Sequence, residues 1–462
     1  MALSKSLASI ILAITFLFNA LFCAEKWENK WQLNDFPAFS GGVKSSALYD
    51  AGSGREPNWK DSDANNKNYM QSAYYVTRGD VRSYLRKLER KGFKKTYERN
   101  VEYNSFYGFV KEDKQLYITY NEQLGEARIM DNSCSDRIDE FGYFTAGSGT
   151  AAVYQYNFPY YDPDIFNDDE IYSRNGMCYV IKLSDNKLVI IDGGSMSQSA
   201  EQNITNFVNF LHEITGTKQG EKINIAMWYG THAHSDHILV FSKALLRYPD
   251  EFNIERLAYN YQSYSNCGYN HRADWFRQQT NEMFPDAKYM KVRTGQKWTL
   301  ADAEFDVIIT HEEVADARTG MLHVDDANEC SSVLRVTLNG STFFFAGDAD
   351  IVLQDKILER YSEEYLRTDV MQAPHHMLNT DKELYSAVSP TYILAPQSKL
   401  RSENYLEAYT VATETVKLEN IFFASEGTYC MTPNGDGTME ITMREADYVP
   451  YDFSDFQYDF EN

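Results

Sequence analysis

Apolar positions recur along this chain with changing periods, and the changes divide it. Leu7 to Phe22 is a largely apolar run behind Lys5, with Ala20, Cys23 and Ala24 before polar sequence. It is short for a membrane span and has the layout of a secretory signal peptide, so residues 1–24 are expected to serve export. Cys23 as a lipid-anchored residue is a minor alternative, since Phe22 is bulky where a lipid-attachment motif wants a small residue. Glu25 to about Lys67 is polar, rich in Gly, Ser and Asn, and has no sustained period, which predicts loops. A helix follows: Thr77 can cap it, Asp80 sits three residues on, Val81, Leu85 and Leu88 share a face, and Gly92 ends it. Alternating stretches at Val101 to Val110, Gln115 to Tyr120 and Ala127 to Met130 predict a small antiparallel sheet. Residues 25–150 are therefore expected to form an α+β module. It has no cluster of His, Cys or paired carboxylates, and recognition or cover for the next domain is its expected role.

Gly and Ala from Ala146 to Ala152, then two prolines and several aspartates from Asn157 to Asp169, suit a connection between domains. Beyond it, Met177 to Leu183 and Lys187 to Ile191 flank the turn Ser184-Asp185-Asn186 and end in Asp192-Gly193-Gly194. A helix with Ile204, Phe207, Leu211 and Ile214 on one face stops at Gly216, and an apolar strand from Ile223 to Trp228 follows. Phe305 to Ile309, Val333 to Leu338, Phe343 to Ala346, Asp369 to Ala373 and Tyr392 to Ala395 are short strand-like runs with helical stretches between several of them. This alternation predicts an α/β domain over residues 151–450, with an acidic tail over 451–462.

Composition narrows the class. Of 462 residues 43% are hydrophobic and 15% aromatic, enough for a sizeable core and against disorder. The formal net charge is −23, from 67 acidic and 44 basic residues. A field of that sign repels polyanions, so a duplex nucleic-acid surface is disfavoured unless basic residues cluster locally. No segment beyond the N-terminal run is long and apolar enough to span a bilayer. Cys134, Cys178, Cys267, Cys330 and Cys430 are scattered, without a CxxC pair, which excludes a zinc ribbon or a disulfide-dense framework. Asn203-Ile-Thr205 and Asn339-Gly-Ser341 fit the N-glycosylation pattern, which matters only in a eukaryotic host.

The strand ending at Trp228 runs into Thr231-His232-Ala233-His234-Ser235-Asp236-His237. Three of the 9 histidines of the chain and an aspartate fall within six residues. In extended chain, residues two apart face the same way, so His232 and His234 can chelate one ion from one side. A helix over Ile238 to Leu246 then aims Asp236 and His237 at a second ion. Imidazole suits zinc, and a mixed set with carboxylates also suits manganese or iron. Capping and surface histidines are the bland alternative. Asp348 follows the strand Phe343 to Ala346, and His375 and His376 follow the strand Asp369 to Ala373. Ends of parallel strands on one sheet edge are where α/β proteins gather their sites.

These motifs in this order resemble the metallo-β-lactamase superfamily: Asp192-Gly-Gly after a strand, HxHxDH, Gly347-Asp348 after a later strand, and a late histidine. The nearer likeness is to the hydrolase domain of the competence protein ComEC. There an N-x-x-S segment replaces an isolated histidine motif, as Asn328-Glu329-Cys330-Ser331 would here, and the last motif is a His-His pair. The resemblance covers about residues 170–445, closing with a hairpin over Glu426 to Tyr429 and Asn434 to Gly437. It implies a four-layer αββα sandwich preceded by the small α+β domain. It also implies that His232 and His234 bind one ion, that Asp236 and His237 bind another, that Asp348 bridges them, and that His375, with His376 as the lesser alternative, completes the second ion's shell. Where most of the superfamily offers a third histidine to the first ion, this chain has Asn328, Glu329 and Cys330. Asn and Ser are poor zinc ligands, so the first ion is expected to be more weakly held, in an open site that favours manganese. His311, His323 and Cys330 are substitutes to weigh there.

The expected activity is that of an exported hydrolase with one or two divalent ions, Zn or Mn, and a metal-activated hydroxide as nucleophile. Asp236 would orient that nucleophile, His376 as the unligated histidine would protonate the leaving oxygen, and Asn328, Ser331 and Ser235 would contact substrate or ligands. The resemblance suggests phosphodiester bonds, and the charge favours a small-molecule or cell-envelope phosphodiester over DNA. Phosphorylcholine esterases acting on teichoic acids carry a similar HSDH motif. A lactone or β-lactam hydrolase, or a binding protein with a degenerate metal site, are the alternatives.

Overall fold

The computed structural model describes residues 31, 33–47, 70–145, 147–158, 176–195, 201–261, 273–314, 327–378, 381–404 and 406–445. The expected signal peptide, the acidic tail, Cys267 and His323 lie outside them. The first helix spans Arg78–Arg90, where Thr77 and Asp80 form the reciprocal cap that their spacing predicts. The Thr77 hydroxyl accepts the Asp80 N–H at 3.2 Å, and the Asp80 carboxylate accepts the Thr77 N–H at 2.9 Å. Val81, Tyr84 and Leu88 on its inner face are buried.

That helix covers one face of a six-stranded sheet made of β1 (Val43–Ala47), β2 (Met70–Tyr74), β3 (Lys94–Val101), β4 (Asn104–Lys111), β5 (Lys114–Asn121) and β6 (Glu126–Asp131). The spatial order is β1-β2-β6-β5-β4-β3, all antiparallel. Two expectations are corrected here. The stretch read as one strand from Val101 to Val110 is the end of β3, a turn at Glu102 with φ of 51°, and β4. β3 escaped notice because its half-exposed edge position leaves it polar. Part of the stretch expected to be loop is β1, whose pairing with β2 no local period announces.

The rest of the strands form two larger sheets. The first to appear are β7 (Ala152–Gln155), β8 (Cys178–Lys182), β9 (Leu188–Asp192), β10 (Ile223–Gly230), β11 (Phe252–Ile254), β12 (Arg256–Tyr259) and β13 (Lys288–Lys291). Next come β14 (Lys297–Leu300), β15 (Ala303–Ile309), β16 (Val333–Leu338), β17 (Ser341–Phe345), β18 (Val370–Gln372), β19 (Tyr392–Ala395) and β20 (Ile421–Phe423). A closing hairpin of β21 (Gly427–Pro433) and β22 (Met439–Glu445) completes the set. One sheet orders β13-β12-β10-β9-β8-β7-β21-β22 with β11 beside β10, and the other orders β14 through β20 consecutively. Within the first, β9, β10, β12 and β13 are parallel; within the second, β17, β18, β19 and β20 are.

Alternation along each strand decides the layers. Tyr179, Ile181, Val189 and Ile191 point inward against Phe305, Val307, Val336 and Phe345 of the facing sheet. Val180, Leu188 and Ile190 point outward under the helices Glu201–Thr215 and Ser235–Arg247. Phe344, Met371 and Ile393 point out on the other side, under the helices Ile351–Arg360 and Lys382–Val388. Both faces of each sheet are buried, which is why runs such as Leu188 to Ile191 are continuously apolar. The result is an αββα sandwich.

The six-stranded sheet docks on this sandwich through the face opposite its helix. Tyr117 and Tyr97 donate to the carbonyls of Thr294 and Gly295 at 3.0 and 2.8 Å, and Arg99 holds Asp306 with both nitrogens at 2.6 and 2.8 Å. Behind them lies a buried ionic network. Arg128 donates to the carbonyls of Glu312 and Glu313 at 2.8 and 3.0 Å and pairs with the Glu313 carboxylate, which also meets Arg360. Glu312 pairs with Arg293 and accepts from Asn260 at 2.7 Å.

Burial alone would raise the Glu312 carboxyl, but the neighbouring His311 and Arg293 charges and its hydrogen bonds hold it down to about 2. A depressed carboxylate contributes stability above its unfolded pKa and loses it as pH falls through the folded one. We therefore expect an acid limb between about pH 4.5 and 2 worth on the order of 3 kcal/mol. Urea unfolding at stepped pH should show this limb flattened in Glu312→Gln, with neutral-pH stability lowered by the stranded Arg293. An unchanged limb would assign acid sensitivity to another group.

Candidate metal centre

The candidate ligands lie where parallel strands of the two sheets end. Thr231 and His232 follow β10, Asp348 follows β17, and His375 and His376 follow β18. Asp236 and His237 sit in the first turn of the helix Ser235–Arg247, with His234 as its N-cap. Four residues, Asp236, His237, Asp348 and His376, offer ligand atoms all within 4.8 Å of one another. His232, His234 and Asp348 form a second such group, so Asp348 belongs to both.

The short distances define where these side chains aim. His232 Nε2 is 3.1 Å from His234 Nδ1 and 3.8 Å from Asp348 Oδ2. On the other side, Asp348 Oδ2 is 3.2 Å from His237 Nε2 and 3.6 Å from His376 Nε2, and His376 Nε2 is 3.3 Å from Asp236 Oδ2.

Outer partners fix the ring orientations. Asp192, at the end of β9, takes the His237 Nδ1 proton at 2.8 Å through Oδ2, and Thr231 supplies its backbone N–H to Oδ1 at 2.8 Å and its hydroxyl to both oxygens. The Trp228 indole holds the Asp192 carbonyl at 3.0 Å, while Asp192 itself adopts a left-handed φ of 61°. His376 Nδ1 donates to the Pro396 carbonyl at 3.0 Å. Each bond spends Nδ1 and leaves Nε2 facing the cluster, the arrangement that metal-binding imidazoles adopt. The buried Nε2 atoms of His237 and His376 and Oδ1 of Asp348 have no hydrogen bond of proper geometry among the described residues. Buried polar atoms left this way are costly, and a divalent cation satisfies all of them at once. The donor set of imidazoles and carboxylates fits such an ion.

Electrostatics agree with that use. Burial, with the charge of His237 beside it, pushes His232 well below its ordinary value and keeps it a neutral donor. Burial would raise Asp348, but the imidazoles of His237 and His376 hold it well below the carboxylate range. Burial would likewise lower His237, yet the Asp348 and Asp192 carboxylates raise it well above normal.

The backbone is strained at the same place. His375, His376 and Met377 have φ of 46°, 50° and 58°, three successive left-handed residues, none of them glycine. Such conformations cost roughly 1–3 kcal/mol each and persist only where the surroundings over-determine them. Gln372 does this by bonding both the N–H and the carbonyl of Gly347, at 2.7 and 3.0 Å, while His375 N–H holds the Gly347 carbonyl at 3.1 Å. Gly347 has φ of 57°, and a Cβ there would stand 2.8 Å from Thr231 Cβ.

This turn separates the two histidines of the pair. It carries His376 into the four-residue group, whereas His375 Nε2 stands 4.0 Å from Asp348 Oδ2 and 3.2 Å from Asn328 Nδ2. The sequence favoured His375 as the ligand and kept His376 as the alternative; the distances place His376 with the group. His232, His234, Asp236, His237 and Asp348 are brought together. Ser331 reaches Asp348 from behind, its hydroxyl accepting the Asp348 N–H at 3.1 Å, and Ser235 opens the helix beside Asp236. His311 and Cys330 lie outside both groups. Asp192 had only a motif, an aspartate and two glycines after a strand, to mark it; Thr231 stood at the head of the histidine motif without a role, and Gln372 and Pro396 had no signal at all.

If Asp192 sets the His237 ring, Asp192→Asn should weaken binding of the ion beside His237 by about 10–100-fold with the fold intact. Competition with a chromogenic chelator measures this, and unaltered affinity would make Asp192 a merely structural group.

No family model matches the chain, and no curated protein matches it. Among solved structures it is similar to Zn(2+)-bound PqqB from Methylobacterium extorquens, at 9% identity over 59% of this chain and 97% of that one, with a TM-score of 0.34. CmlA, a diiron β-hydroxylase from Streptomyces venezuelae, is similar at 10% identity over 60% and 53%, with a TM-score of 0.32. A metallo-β-lactamase with a HARLDQ motif from Cronobacter sakazakii is similar at 15% identity over 52% and 88%, with a TM-score of 0.27.

Proposed function

We propose that this chain is an exported metal-dependent hydrolase of phosphodiester-type bonds. The observation that carries the reading is the shared Asp348 between two ligand groups. His232, His234 and Asp348 would hold one ion, and Asp236, His237, Asp348 and His376 the other. When bound, a divalent ion supplies Lewis acidity, polarising a substrate oxygen and lowering the pKa of a coordinated water to about 7. A pair of sites sharing one carboxylate suits an in-line displacement at phosphorus, where both the attacking and the leaving oxygen need charge stabilised. Zinc and manganese both fit, since the donors mix imidazole and carboxylate.

This chain's own groups supply the rest. Asp236 is the least enclosed carboxylate of the set, 40% exposed, and can accept a proton from the attacking water and orient it. His375, 20% exposed and touching Asn328, faces the site without belonging to either ligand group, so it is the residue to protonate the leaving oxygen. That role passes to it from His376. Net charge of −23 favours a small-molecule or cell-envelope phosphodiester over double-stranded DNA.

Two expectations test this. Metal analysis of purified protein should find near one tightly held ion per chain, because the first group has three donors and the second has four. Asp348→Ala should lose both ions, and Asn328→His should tighten the weaker one. Two equally tight ions, or unchanged metal in Asp348→Ala, would overturn the assignment. Metal-loaded protein should hydrolyse a bis-aryl phosphodiester, with Asp236→Ala or His375→Ala slowing kcat by about 10²–10⁴-fold. Turnover of a lactone or β-lactam instead would replace the substrate class, and no turnover with full metal content would make the chain a binding protein.

A further inference from the structure

Charge is distributed unevenly in this acidic chain. From Arg78 to Lys95 there are eight basic residues and two acidic ones, a local +6 that leaves −29 on the remainder. The helix Arg78–Arg90 carries most of it, with Arg78, Arg82, Arg86 and Arg90 recurring every fourth residue. That spacing places successive guanidiniums along one side of the helix, about 6 Å apart in rise. All four are exposed, and exposed Lys91, Lys94 and Lys95 extend the strip past the helix end.

Among the described residues the strip is largely without acidic partners. Arg78 pairs with Glu122 and Lys95 with Glu98. Among the described residues, no carboxylate pairs with Arg82, Arg86 or Arg90. Arg86 reaches only the Ser83 hydroxyl, and Arg90 only the Arg86 carbonyl. Glu89 is the one acidic side chain in the last turns of the helix, and its field falls on Lys95. Like charges at i, i+4 destabilise an isolated helix by a few tenths of a kcal/mol each, so the row is a cost that helix stability does not explain. A solvated face would intersperse both signs.

Location separates the strip from the metal centre. The helix covers one face of its sheet, burying Val81, Tyr84 and Leu88, and the opposite face docks on the sandwich at Thr294 and Gly295. Fields of exposed charges are screened within about 8 Å at physiological salt, so the acidic remainder does not cancel the strip. No exposed large apolar side chain lies on this helix, which is against insertion into a lipid surface, and none is aromatic, which is against stacking on bases.

We propose that the Arg82–Arg86–Arg90 row is an anchoring surface for the backbone of a linear phosphodiester polymer, remote from the metal site. Arg rather than Lys at the three central positions matches the forked, bidentate recognition of phosphate. A repeating anion is the ligand that a regular row of unpaired guanidiniums fits. The proposal deepens the phosphodiester reading of the metal site but rests on separate residues, so either can fail alone.

Fluorescence anisotropy of the full chain with a labelled 20-mer of thymidylate, used as a plain phosphodiester polymer, tests it. Binding is expected at low salt, with a log–log salt slope of about −2 to −3, as three or four phosphate contacts on a single strand dictate. Arg82→Glu/Arg86→Glu/Arg90→Glu should weaken it at least 20-fold, and the corresponding triple Lys variant should weaken it severalfold while keeping the charge. Metal content and small-diester turnover should not change in either, which also reports that the fold is kept. A triple Gln variant serves if the reversal fails to fold. Absence of binding, or equal binding by the triple Glu variant, overturns the proposal. Equal binding of polyglutamate of matched length would assign the row to an acidic protein, and binding only to anionic phosphatidylglycerol vesicles would assign it to a membrane; both overturn it. Poly(glycerol phosphate) in place of the oligonucleotide separates an envelope polymer from nucleic acid.

Discussion

Asp348 is the group on which the arrangement of the sandwich converges. Its carboxylate is buried between the ends of two sheets, where an isolated charge would be prohibitively expensive. Its Oδ2 lies within 4.0 Å of ring nitrogens from His232, His237, His375 and His376. Those rings arrive on separate elements: the turn after β10, the helix behind it, and the turn after β18. Only a packing that aligns the C-terminal ends of parallel strands in both sheets can bring them to one carboxylate. The inner core between the sheets, from Tyr179 and Ile191 to Val336 and Phe345, fixes that alignment.

What the sequence disclosed about the site follows from locality. His232, His234, Asp236 and His237 are legible because a strand followed at once by a helix determines where each side chain points. Asp348 is legible as a carboxylate at a strand end. His375 and His376 were not separable, since the choice depends on three consecutive left-handed residues and on the carbonyl of Pro396, 20 residues away. No propensity scale reports a conformation that distant bonds impose. The same holds for the fold: the helix capped by Thr77 was readable from its box, whereas β1 and β3 exist only through partners in the six-stranded sheet. Buried strands such as β9 announced themselves by continuous apolar runs.

Charge is used in two opposite ways. Arg128, Glu313, Arg360, Arg293 and Glu312 are sequestered at the junction of the two sheet systems, where each carboxylate meets at least one guanidinium. Replacing such pairs by apolar groups is often neutral, so their value here is geometric: they hold the turn His311–Glu313 against the six-stranded sheet. Among the described residues the N-terminal module braces this turn and contributes no ligand.

Asn328 meets the His375 ring through its amide, Nδ2 to Nε2 at 3.2 Å. A histidine at this position would compete with His375 for the same space. An amide instead offers a donor and an acceptor, so it can hold the His375 ring in either protonation state. An acid that must surrender a proton and recover it needs a neighbour of that kind, and a second imidazole or a carboxylate would bias one state by charge. In the proposed reading, a weaker hold on the first ion and the availability of His375 both follow from this one residue.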